Sequence, residues 1–128
     1  MFARAERARE ENRLEEAARY FGRAAGTWRS NGNVIEAADA YLELGAVLLR
    51  QNRGHLLPDL AFRVQSLLES DRLPEGAHLN LRVFAALMAK GAKEREAFLG
   101  LVQERRLARH RLALASAAED HAAGQGVA

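Results

Sequence analysis

The sequence contains no cysteine, which excludes disulfides, zinc–thiolate sites and thiol nucleophiles together while saying little about compartment. Proline occurs twice, and valine and isoleucine together seven times, so strand formers are scarce. No apolar run is longer than Val83 to Ala89, far short of a bilayer span. The start, Met1-Phe2-Ala3-Arg4, runs straight into Glu6, Arg7, Arg9 and Glu10 and leaves no apolar leader core. These absences lead us to expect a soluble, cytoplasmic protein with no membrane segment. A strong charge imbalance is missing too. Lys and Arg number 19 against 17 Asp and Glu, and the pI of 9.5 arises because nearly all the bases are arginines. A net +2 is no nucleic-acid footprint by itself.

What the chain does have is 26 alanines and 19 leucines in 128 residues, the composition of one helical domain. Turn signals fall at Asn12-Arg13, Ser30 to Asn33, Gln51 to Leu57, Ser70 to Pro74, Gly91-Ala92 and Gly124 to Gly126. They divide the chain into about six helices and predict an all-α fold. We place a single domain over residues 1–118 and a polar, glycine-containing tail over 119–128. Asn33 with Glu36 predicts a capping box, Pro58 and Pro74 predict first-turn positions, and Gly54 and Gly91 predict left-handed helix ends.

Apolar stripes at steps of three and four support these helices. The second segment carries Leu14, Ala17, Ala18, Phe21, Ala24, Ala25 and Trp28, and the third carries Ile35, Ala37, Ala38, Tyr41, Leu44, Ala46 and Leu48. The fourth has Leu57, Leu60, Ala61, Val64, Leu67 and Leu68. The fifth, with Ala77, Leu81, Phe84, Ala85 and Met88 flanked by Leu79, Val83, Ala86 and Leu87, is apolar on most sides and is expected to be the most buried. Glycines 22, 26, 45 and 100 lie inside predicted helices at about 1 kcal/mol each relative to alanine. Close approach of a neighbouring helix is the expected offset.

The second and third stripes repeat one another at an offset of 20 residues: Asn12, Ala17, Phe21 and Ala24 recur as Gly32, Ala37, Tyr41 and Leu44. This pattern of turn residue, alanine, aromatic and small or apolar residue resembles the second helix of a tetratricopeptide repeat. The stretch from Glu15 to Ala25, continued to Tyr41, is similar to the helical hairpins of the soluble NSF attachment proteins, over roughly residues 10–50. A 34-residue frame laid on Ala17 meets Gln51 and His55, which do not fit it. The resemblance implies three antiparallel hairpins stacked as a short array, whose inner helices line a groove for a peptide or protein partner.

No catalytic constellation stands out. Histidines 55, 78, 110 and 121 lack the spacing that lets two imidazoles share a metal, and no phosphate loop or nucleophile elbow is present. Glu10-Glu11 and Glu15-Glu16 lie within reach of Arg7, Arg9, Arg13 and Arg19, the pattern of solvated charge. We therefore expect no enzyme activity, no cofactor and no metal.

Two charged constellations remain. Asp39 and Glu43, four apart on the polar side of the third helix, and His78 and Arg82, four apart on the fifth, are candidates to face one another across a partner-binding groove. The basic cluster Arg105, Arg106, Arg109 and Arg111 interrupts the stripe begun by Phe98, Leu101 and Val102. It reads as a solvated helix end, as a contact for an acidic partner or for a homodimer through Leu107 and Leu114, or as a weak nucleic-acid contact. The favoured expectation is a non-enzymatic adaptor or scaffold. The alternatives are a regulatory or sensor fragment of a transcription-related protein that touches nucleic acid through Arg105 to Arg111, and a self-assembling structural scaffold.

Overall fold

Helix α1 (Phe2–Glu10), α2 (Leu14–Ser30), α3 (Val34–Arg50), α4 (Leu57–Ser66), α5 (Ala77–Ala89) and α6 (Arg95–Gly126) account for most of the chain. The computed structural model describes residues 1–70 and 73–126, with side chains up to residue 119 except Leu79. Short 3-10 turns occupy Gly54–Leu56, Leu67–Glu69 and Gly91–Glu94, and no strand occurs among the described residues. The fold is all-α, as the composition predicts. Leu79 and His121 lie outside the described side chains.

The 20-residue period is visible in the backbone. Asn12, Gly32 and Asn52 each take a left-handed conformation, with φ of 61°, 77° and 59°. Each closes its helix with the same pair of bonds. The amides of Arg13, Asn33 and Arg53 donate to Ala8, Trp28 and Leu48 carbonyls at 2.7, 2.8 and 2.8 Å. Those of Asn12, Gly32 and Asn52 donate to Arg9, Arg29 and Leu49 at 3.0, 3.1 and 3.1 Å. These are Schellman closures, tolerated by asparagine and glycine because a short polar side chain or none relieves the left-handed clash. Two helices of 17 residues thus sit between identical three-residue turns, and short turns make α1, α2 and α3 run antiparallel to their sequence neighbours.

Several local expectations need correction. Gly54 is not the left-handed residue, because Asn52 has already ended α3; Gly91, at φ 62°, is left-handed as expected. Asn33 stands at the start of α3 but makes no capping hydrogen bond with its side chain, so there is no capping box. Pro58 lies in the first turn of α4 with Asp59 beside it. Pro74 lies ahead of α5, whose start is set by left-handed Gly76. The expected tail boundary after residue 118 is not a break in the backbone, since α6 runs through it to Gly126.

Packing places α3 at the centre, with α2 on one side and α4, α5 and α6 against it elsewhere. It buries residues around its whole circumference, from Val34 to Leu49. This corrects the expectation that α5 is the most enclosed. Val83 on α5 is 44% exposed and Ala86 is also exposed, because α5 packs on α4 and on the body with one side only. The repeated positions Ala17, Phe21, Ala24, Ala37 and Tyr41 are buried, and Leu44 is partly so. Each fully buried Phe, Leu or Met contributes about 1.5 to 3 kcal/mol relative to exposure.

The internal glycines divide into two kinds. A Cβ on Gly45 would lie 2.7 Å from Cζ of Phe98, so the missing side chain on α3 is the seat of a phenylalanine on α6. Gly22 has only an ordinary contact with Leu44, and Gly26 and Gly100 have no neighbour within 4 Å, so close approach does not explain these three. Gly26→Ala and Gly100→Ala should each raise the unfolding free energy by about 0.5 to 1 kcal/mol in urea titrations, since alanine brings helix propensity and meets nothing.

Candidate interaction site

Asp39 and Glu43 stand one turn apart on the helix that is buried on all sides. Their exposures are 4% and 0%, so α3 has no polar side there. Carboxylates removed from water must be paired and hydrogen-bonded or they are strongly destabilising. The partners come from both ends of the chain. Arg105 of α6 grips Asp39 with two bonds, Nε to Oδ1 at 2.8 Å and Nη2 to Oδ2 at 3.1 Å. Arg106 holds Glu43 through Nε at 2.9 and 3.0 Å to the two oxygens and through Nη2 to Oε1 at 2.7 Å. Arg109 reaches both acids, donating from Nη2 to Glu43 Oε2 at 3.3 Å and lying 3.7 Å from Asp39. Arg9 of α1 completes the set with a short bond from Nη1 to Glu43 Oε2.

Local sequence explains this convergence. Phe98, Val102, Arg105, Arg106 and Arg109 follow helical steps of four, three, one and three, so one face of α6 carries two apolar residues and then three cations. Phe98 (0% exposed) and Val102 (2%) sink into the main core, which fixes the register that delivers the arginines. The arginines keep an aqueous side, at 24%, 34% and 23% exposure for 105, 106 and 109. Hydrogen bonding to Asp39 raises the Arg105 guanidinium pKa above its ordinary value, against the opposing effect of burial. Arg109 also lies over the Phe2 ring at 5.3 Å, and Phe2 packs edge-on to Phe21 and tilted against Trp28, both at 5.3 Å. Trp28 is therefore part of the packing. Tyr20, eight residues before Trp28, is flanked by Arg4 and Arg19.

The structure thus regroups the candidate residues. Asp39 and Glu43 meet Arg105, Arg106 and Arg109 instead of His78 and Arg82, which are exposed on α5. Arg111 is exposed and outside the network. Arg9 was missed by sequence reasoning. A signal for the network was present: two acids embedded in Ala37-Ala38-Asp39-Ala40-Tyr41-Leu42-Glu43-Leu44 have too few polar neighbours to be a solvated face.

Two further surface features lie on the α4–α5 pair. Ala61, Gln65, Leu68, Arg82, Ala85, Ala86 and Ala89 line an open groove of about 420 Å³. Next to it, Phe62 is 77% exposed. On α6 every described residue from His110 to Glu119 is exposed, with Leu112 at 68% and Leu114 at 57%. No group of acids and histidines suited to a metal ion occurs among the described residues. No described helix is long and apolar enough to cross a membrane. No protein-family model, curated protein or solved structure matches the chain.

Proposed function

We propose that the protein is a non-enzymatic interaction module, an adaptor or scaffold of the tetratricopeptide-like kind, that takes a helical segment of another protein. The observation that carries this reading is the way α6 is received. The body receives α6 through buried Phe98 and Val102, with Leu99 and Leu101 packed partly buried beside them, and through a pair of buried acids on α3 that its arginines neutralise. The repeated 17-residue helices with identical turns support the array reading, and the small side chains lining the α4–α5 groove suit a second closely packed helix.

The nucleic-acid reading loses its main support, because three of the four arginines that suggested it are turned onto Asp39 and Glu43. A scaffold built by self-association keeps one specific observation in its favour, the exposed Leu107, Leu112 and Leu114 of α6. Two measurements on the purified chain separate these readings. Cross-linking to protein from the native cell, repeated with Phe62→Asp and with Glu43→Gln, should give a partner whose recovery falls with one of the variants. No partner affected by either, together with a mass that doubles at micromolar concentration in sedimentation equilibrium, would replace the adaptor with the self-assembling scaffold.

A further inference from the structure

Helix α6 has 32 residues and a length of about 48 Å, yet every described side chain from His110 to Glu119 is exposed, so its described contacts with the body lie in its first half. Among its described side chains Phe98 and Val102 are buried, Leu99 and Leu101 pack partly buried against the core, and Arg105, Arg106 and Arg109 are its main polar hold, with Arg95 donating to the Leu49 carbonyl at 3.4 Å. Its connection to α5 is the single 3-10 turn Gly91–Glu94, entered through left-handed Gly91. Two features of the body depend on α6 most directly: the socket over Gly45, and the charge of Asp39 and Glu43, for which Arg9 is the cation supplied from outside α6.

We infer that the α3 face bearing Asp39, Glu43 and Gly45 is a receptor for an arginine-bearing amphipathic helix of a partner protein, and that α6 is the occupant the chain supplies for itself. This rests on the interaction-module reading and gives it a ligand chemistry. Charge complementarity sets that chemistry. Anything that displaces α6 must bring cations, because carboxylates at 4% and 0% exposure cannot be left facing an apolar or acidic replacement. Arginine fits better than lysine, since Asp39 receives two bonds from one planar guanidinium and Glu43 receives the fork of another.

The apolar half of the pattern is set by Gly45, which leaves room for one aromatic ring against the α3 backbone. The matching ligand is a helix with an aromatic at one position, an aliphatic residue four later, and arginines seven, eight and eleven later, as in Phe98, Val102, Arg105, Arg106 and Arg109. The tethered helix competes with any such ligand. Apparent affinity is therefore reduced by the fraction of molecules in which α6 is docked, and loosening α6 acts as a switch.

The test is fluorescence anisotropy with a labelled peptide of residues 95–111 of this chain, titrated into the full-length protein and into its Arg105→Glu/Arg106→Glu variant. The variant should bind the peptide at least about tenfold more tightly than the unaltered protein, because its own helix no longer competes. A peptide carrying the same two substitutions should not bind, and adding Asp39→Asn and Glu43→Gln to the variant should abolish binding. Equal binding of the two peptides, or none to the variant, overturns the inference. Hydrogen exchange on the unaltered protein supplies a check that needs no variant: amides of residues 95–109 should exchange at least about tenfold faster than those of α3. Uniform protection across both helices overturns it. A doubled mass in sedimentation equilibrium of the unaltered protein would place a second copy's α6 in the site and overturn the choice of a different protein as partner. The interaction-module reading fails separately, if no native partner responds to Phe62→Asp or Glu43→Gln.

Discussion

Truncating Phe98 to alanine is expected to lower the unfolding free energy by about 3 to 5 kcal/mol, the range for removing a fully buried aromatic ring. Phe98 is 0% exposed, and its ring tip occupies the space that Gly45 leaves on α3. The loss should fall unevenly. Urea unfolding followed by far-UV circular dichroism should show weakened cooperativity, and hydrogen exchange should show α6 losing protection ahead of α2 and α3. A companion change tests the same contact from the other side. Gly45→Ala adds a Cβ at 2.7 Å from Phe98 Cζ and should cost on the order of 1 to 3 kcal/mol, despite alanine's better helix propensity. Combining it with Phe98→Leu should recover part of that loss, since the shorter side chain withdraws the clashing atoms. Strict additivity of the two changes would show that they do not meet.

The second large effect belongs to the ion network. Arg105→Ala removes both short bonds to Asp39 and leaves that carboxylate with Arg109 at 3.7 Å. The expected loss is on the order of 3 kcal/mol, the low end for one partner of a buried pair, because Arg105 is 24% exposed and part of its charge is already solvated. Arg111→Ala, at an exposed position outside the network, should change stability by less than about 0.5 kcal/mol. Replacing both members of the pair, Asp39→Leu with Arg105→Leu, should be much milder than Arg105→Ala alone, since no buried carboxylate is left short of its partner and Glu43 keeps its own arginines. Guanidinium or urea midpoints of the four proteins decide the matter. A double variant as damaged as the single one would mean that shape, and not charge, holds α6 in place.

Much of the fold was legible because it is local. Asn12 and Gly32 announce their turns by residue type, and the stripes of α2 and α4 follow from spacing alone. Asn52 was hidden because Gly54 two residues later is the more familiar helix terminator. Burial was harder to read. The apolar composition of α5 resembles that of a central helix, but which helix is central depends on how many neighbours it receives, and α3 receives α2, α4, α5 and α6. The candidate site was legible in its residues and not in its pairing. Asp39, Glu43 and the arginines of α6 were all singled out, yet their meeting depends on contacts across 63 to 66 residues. Helical periodicity carries no information about contacts at that separation.

The wiring of α3 to α6 also has a consequence for the order in which the molecule can be made. A nascent chain emerges with α1, α2 and α3 first, and these already contain the two turns and the repeated stripe needed to begin folding. Asp39 and Glu43 are then in place while Arg105, Arg106 and Arg109 have yet to be synthesised, and Arg9 is the one member of the network available to them. The early helices therefore cannot close over their own acids, and the last quarter of the sequence acts as a latch on the second.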